Sequence, residues 1–102
     1  MLVEFLYWEG CPSHPAALAD LRDVLSGTGQ DPDSIELLEV MTEAQAQELA
    51  FTGSPTIRVN GVDLFEAGDD FGLSCRIYRR RDGRVSPTPD PEELRELLAS
   101  RH

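Results

Sequence analysis

Apolar positions near the start of this chain crowd together. Leu2, Val3, Phe5, Leu6, Tyr7 and Trp8 are interrupted only by Glu4. Such a run suits a strand covered on both faces. Leu18, Leu21, Val24 and Leu25 then return at helical spacing, behind Ser13 as N-cap and Pro15 in the first turn. Gly27 and Gly29 stop that helix. Ile35 to Met41 half-alternates and predicts a second strand. Thr42-Glu43-Ala44-Gln45 is a capping box that opens a short helix reaching Phe51. Ser54 to Val59 predicts a third strand, with Pro55 at its start where proline is tolerated. Asn60-Gly61 is a hairpin turn into a returning strand, Val62 to Phe65.

The remaining third is less regular. Glu66 to Gly72 is a polar loop. Leu73 to Tyr78, which contains Cys75, fits a strand followed by an Asp82-Gly83 turn. A short helix capped by Asp69 is the alternative, and Gly72 counts against it. Pro87, Pro89 and Pro91 break the next connection. Asp90 then caps a last helix with Glu93 completing the box and Leu94, Leu97 and Leu98 as its apolar stripe. A strand–helix–strand unit with parallel strands crosses over right-handed, and the hairpin adds an antiparallel pair. The expectation is one α/β domain over residues 1–102. It has a mixed four-stranded sheet, helices on both faces and an extra loop or strand segment before the C-terminal helix.

Charge narrows the partners. The net charge is −10, with 19 acidic residues against 9 Arg and no Lys. An acidic chain is a poor partner for nucleic acid or anionic membranes, and the missing Lys removes Schiff-base chemistry. One stretch runs the other way: Arg76, Arg79, Arg80, Arg81 and Arg84 stand against Asp82 alone. It reads as a solvated hairpin pairing with the acidic surface, or as a docking site for an anionic partner. No segment approaches a membrane span and Met1 leads straight into the first strand, so a cytoplasmic location is expected. Monomer and homodimer both remain open.

The chemistry gathers where the first strand ends. Glu9-Gly10 turns the chain and delivers Cys11, followed by Pro12, Ser13 and His14. The first turn of a helix offers unpaired N–H groups and partial positive charge, which make a thiol more acidic. His14, three residues on, is placed to hold a proton near the sulfur or to remove one. Glu9 would oppose thiolate formation if close. Cys75 is the only other cysteine, and the neighbouring Arg cluster would favour its thiolate. Two cysteines are too few for a disulfide scaffold, so they point to chemistry or to nothing.

The element order, with Gly10-Cys11-Pro12 at the first turn and Ser54-Pro55-Thr56 opening the third strand, resembles the thioredoxin fold over almost the whole chain. Gly53 to Gly61 and Gly72-Leu73-Ser74-Cys75-Arg76-Ile77-Tyr78 are similar to small bacterial thioredoxin-like proteins sometimes labelled alkylmercury-lyase-like. The resemblance implies a cis Ser54–Pro55 peptide beside Cys11. It also implies that Pro12, Ser54, Pro55 and Thr56 present groups to an extended substrate. The chain departs from the family's C-x-x-C pattern, because His14 stands where the second thiol belongs. Gly68-Asp69-Asp70 falls where glutaredoxins hold glutathione, which makes glutathione a co-substrate to test; no bound cofactor or metal is expected.

Three functions compete. Cys11 acts as a thiol–disulfide or glutathione-linked oxidoreductase on a small-molecule or protein substrate. Alternatively Cys11 and Cys75 clamp a soft metal or an organomercurial. The third is an interaction module without turnover. Residues 66–89 make a longer connection than the core needs. If that loop folds back over the Cys11 turn, Cys75 becomes the partner thiol missing from position 14. Catalytic roles are therefore expected for Cys11, His14 and Cys75, with Cys11 the faster to alkylate.

Overall fold

In the computed structural model, which describes residues 2–65 and 70–100, the first strand, β1 (Val3–Tyr7), separates two cores. Alternation along a strand sends Val3, Phe5 and Tyr7 to one face and Leu6 and Trp8 to the other. The chain continues through α1 (His14–Gly27), β2 (Glu36–Glu39), α2 (Glu43–Glu48), β3 (Thr56–Val59) and β4 (Val62–Asp63). It ends with β5 (Tyr78–Arg79), β6 (Val85–Ser86) and α3 (Pro91–Ala99). The main sheet is four-stranded in the order β2-β1-β3-β4. β1 runs parallel to β2 and antiparallel to β3, and β4 returns antiparallel beside β3. Phe5 lies opposite Ile57 and both are buried in one core, so the register of β1 with β3 follows from which face each residue must bury.

Ala17, Leu21, Val24 and Leu25 of α1 join Leu94 and Leu98 of α3 over Val3, Phe5, Ile57 and Val59. On the opposite face Ala46 of α2 and Phe51 pack with Leu6 and Val40. Truncating a buried leucine such as Leu21 in a core of this kind costs about 2–5 kcal/mol. Three helices therefore cover the two faces of a mixed sheet. No helix among the described residues is long and apolar enough to cross a membrane.

The strands are shorter than the hydrophobic pattern predicts. Glu36–Glu39 replaces the expected Ile35 to Met41, and Val62–Asp63 replaces Val62 to Phe65. Pairing nonetheless runs on: the Val40 N–H donates to Tyr7 O at 2.8 Å and the Leu64 N–H to Ile57 O at 2.9 Å. The capping box at Thr42 closes through a neighbour. Gln45 N–H donates to Thr42 Oγ1 at 3.1 Å, while the Gln45 side chain accepts from Met41 N–H at 2.8 Å. Asp90 caps α3 by accepting from Glu92 N–H at 3.0 Å. Leu73 to Tyr78 forms no helix. It makes a single parallel bridge at Cys75 and then enters the β5–β6 hairpin, whose turn has Gly83 at φ +88°.

The basic cluster lies on this hairpin and is largely spent on acids of the same chain. Arg81 pairs with Glu96, Arg84 with Asp82, and the buried Arg76 with Asp63 at 3.0 Å.

Candidate active site

β1 and β3 are antiparallel, so the end of the first strand and the start of the third fall at the same edge of the sheet. Cys11 leaves β1 through a turn in which its N–H donates to Trp8 O at 3.0 Å. Gly10 makes that turn affordable. A Cβ there would lie 2.3 Å from Cζ2 of Trp8, because the indole packs over the glycine backbone. The turn tucks the Cys11 thiol inward, at 0% exposure. Its Sγ lies 3.0 Å from Ser13 Oγ and donates to Ser54 O at 3.5 Å. The Ser54–Pro55 peptide is cis, the form the resemblance implied. Ser54 is itself tied down, its Oγ accepting from Trp8 N–H at 3.0 Å.

The other thiol arrives from far along the chain. Ser54 N–H donates to Ser74 O at 2.8 Å and Ser54 O accepts from Arg76 N–H at 2.9 Å. These two bonds flank Cys75 and bridge it to Ser54, whose carbonyl takes the Cys11 thiol, so the two cysteines meet at one residue. Both thiols are free, Cys11 buried and Cys75 exposed. Gly53 permits this approach. It sits at φ +125°, and a Cβ there would lie 3.0 Å from the N, Cα and Cβ of Arg76.

Residues 71–78 act as a strap held along their length. Gln47 donates to Phe71 O at 2.8 Å, Gly72 N–H to Phe51 O at 3.0 Å and Leu73 N–H to Glu43 Oε1 at 3.1 Å. At the other end the Arg76 guanidinium bonds both Asp63 carboxylate oxygens, Phe65 O and Thr56 Oγ1. It also lies 4.7 Å from the centroid of the Tyr78 ring. The Tyr78 hydroxyl donates to Pro55 O. Burial pushes that phenol well above its ordinary range; Arg76 opposes the rise and Asp63 adds to it.

The two thiols titrate as a pair. Burial alone would raise Cys11, but the contact with Cys75 and the hydrogen bonds from Ser13 and Ser54 outweigh it and hold the thiol below its ordinary value. Cys75 is raised, first by its interaction with Cys11, then by burial and by the Cys11 charge. The first proton therefore leaves the pair easily and the second with difficulty. The negative charge settles on Cys11, where the hydroxyl is.

Several sequence expectations change here. The Arg cluster does not favour a Cys75 thiolate: Cys75 is raised, and Arg76 turns its guanidinium to Asp63 and Thr56. His14 turns its ring toward other neighbours. Its ring packs on Tyr7 with centroids 4.8 Å apart and its Nε2 lies 3.8 Å from Glu9 Oε2. No hydrogen bond joins it to Cys11 among the described residues. Ser13 takes the place foreseen for His14. Its hydroxyl makes no cap bond and contacts the sulfur instead. A hydroxyl two residues beyond the thiol was the available signal, hidden by its equal suitability as an N-cap. Ser54, Pro55 and Thr56 are buried. The Ser54 backbone groups and Pro55 O are engaged by the strap, and Thr56 Oγ1 donates to Gly53 O at 2.6 Å. They therefore face the chain's own strap, where an extended substrate was expected. Pro12 is exposed beside the thiol turn. Asp70 is exposed; Gly68 and Asp69, expected to hold glutathione, lie outside the described residues.

Among the described residues no cluster of three His, Cys, Asp or Glu side chains gathers as a metal site. Comparison of the chain with protein-family models, with curated proteins and with solved structures returns no match.

Proposed function

We propose that this chain is a thioredoxin-like thiol–disulfide oxidoreductase whose working dithiol is Cys11 and Cys75. The observation that carries this reading is the shared residue Ser54, which bridges Cys75 and whose carbonyl accepts from the Cys11 thiol, so that Cys75 is the candidate for the thiol that position 14 lacks. Further support comes from the mixed four-stranded sheet with helices on both faces and a helix that starts three residues after the first thiol. Ser13 supports the chemistry by favouring a thiolate in the pair.

The exchange moves two electrons. A protein thiolate attacks one sulfur of a substrate disulfide and expels the other as a thiolate. The second protein sulfur gives up its proton and attacks the protein-bound sulfur of the mixed disulfide, expelling the remaining substrate sulfur. The protein is left with a Cys11–Cys75 disulfide. A small thiol in a reducing compartment such as the cytoplasm returns it to the dithiol.

The test is turnover of oxidised glutathione by the wild type and by Cys75→Ser, with peptide mapping of the oxidised wild type. The expected result is an intramolecular Cys11–Cys75 disulfide in the wild type and loss of turnover in the variant. Oxidation to intermolecular dimers alone, or turnover unchanged by Cys75→Ser, overturns the proposal.

The same sulfur pair supports a second reading, a two-coordinate clamp for a soft ion, since neighbouring thiolates select such ions. One mercuric ion bound per chain with no turnover of any disulfide would favour it.

A further inference from the structure

Resting on the oxidoreductase reading, we infer that Cys75, not Cys11, is the sulfur that exchanges with the outside and carries the mixed disulfide, while Cys11 is the internal resolving sulfur. The two differ in access. Cys11 is 0% exposed beneath the strap, whereas Cys75 is exposed on it. To attach a group to Cys11, the strap has to lift. That breaks the Ser54–Ser74 and Arg76–Ser54 backbone bonds and drags Arg76 from Asp63. Attaching the same group to Cys75 breaks none of these. The two sulfurs also differ as leaving groups. Ser13 Oγ stands 3.0 Å from the Cys11 sulfur and is placed to meet the charge it acquires.

The steps balance in both directions. In the oxidised protein a small thiolate attacks Cys75 Sγ. The Cys11 sulfur leaves with the electron pair of the broken bond, and a Cys75–substrate disulfide forms. A second small thiolate attacks the substrate sulfur of that bond. It forms a small-molecule disulfide and frees Cys75, which takes a proton from solvent. Run backwards, Cys75 attacks a substrate disulfide and the Cys11 thiolate resolves the adduct by attacking Cys75 Sγ. A thiolate that leaves readily and an accessible partner sulfur are what fix the site of attack in such exchanges.

The experiment uses glutathione as probe. Cys11→Ser and Cys75→Ser are each exposed to oxidised glutathione at neutral pH, and adduct formation is followed by intact mass. Cys75 in the first variant should gain the glutathionyl group on the order of tenfold faster than Cys11 in the second. In parallel, oxidised wild type is mixed with reduced glutathione, quenched with acid and mapped. That arm does not depend on either variant folding. A transient adduct on Cys75 is expected. An adduct on Cys11, or equal rates in the two variants, overturns the inference while leaving the dithiol reading intact. Failure to form any Cys11–Cys75 disulfide overturns the dithiol reading itself.

Discussion

The two thiols reach each other by opposite routes. Cys11 is part of the scaffold. The strand before it and the helix after it are anchored in the larger core, and its turn is closed by Trp8 and Gly10. Cys75 sits on a strap joined to that scaffold by scattered bonds, two of them to Ser54. One sulfur is buried in the scaffold; the other is exposed on the strap. Identical chemical groups thereby become unequal, through access and through the Ser13 hydroxyl that meets Cys11. On the dithiol proposal, a second thiol need not lie on the same helix as the first. A backbone bridge from a distant segment serves if a glycine clears the way.

The largest effect should come from making the connection covalent. Closing the chain between Cys11 and Cys75 restricts the unfolded state by about 4 kcal/mol in the chain-entropy model. Oxidised protein should melt above the reduced form, read by calorimetry with and without reductant. No difference, or a lower melting point, would mean that strap and scaffold are not apposed in solution. Next is Gly53→Ala. It adds a Cβ at φ +125° and 3.0 Å from Arg76, and should cost about 2 kcal/mol or more. The informative readout is the rate of intramolecular disulfide formation, which should fall sharply as the strap is pushed away. An unchanged rate would sever the link between glycine and strap. Tyr78→Phe removes the hydrogen bond to Pro55 O and should lower stability by about 1 kcal/mol, with a milder slowing of closure.

The smaller predictions concern protons. Cys11 is lowered in the folded state, so its contribution to stability is present above the ordinary thiol value and lost as pH falls through its folded value. Cys75 is raised, so its contribution is full below the ordinary value and lost as pH rises through its folded value. The stability of reduced wild type relative to the Cys11→Ser/Cys75→Ser double variant should therefore peak near ~8.5. A monotonic difference would contradict the shared titration. Ser13→Ala should move the first thiol titration upward, followed by thiolate absorbance, with little loss of stability because Ser13 makes no cap bond. His14→Ala should leave that titration where it is; a shift would restore the histidine to the thiol's surroundings.

Much of the scaffold was legible in the sequence because its signals are local. The apolar run at Val3 to Tyr7, the stripe from Leu18 to Leu25, the capping residues Thr42 and Asp90 and the Asn60-Gly61 turn each act within a few residues. Cys11 was legible for the same reason, being delivered by a strand, a Gly turn and a helix start in succession. The strap was less so. Only one bridge and a short hairpin define it, so neither strand nor helix rhythm develops between Leu73 and Tyr78. Its partners are backbone groups of Ser54 and the Asp63 carboxylate, which leave no pattern in spacing. The length of the connection hinted that it folds back, but not that Cys75 would be the exposed member of the pair. Ser13 took the role expected of His14 because both lie within reach of the thiol in sequence, and only the direction taken by each side chain separates them.

The packing of Trp8 over Gly10 has a practical sequel. Trp8 is the chain's single tryptophan, and its own carbonyl holds the Cys11 N–H while its N–H is held by Ser54. The indole thus sits as a built-in optical gauge at the thiol turn. Disulfides quench indole emission at short range, so closure of the pair should dim the protein and reduction should restore it. Exchange kinetics then become readable by fluorescence on the unlabelled chain, with no added dye to disturb the strap.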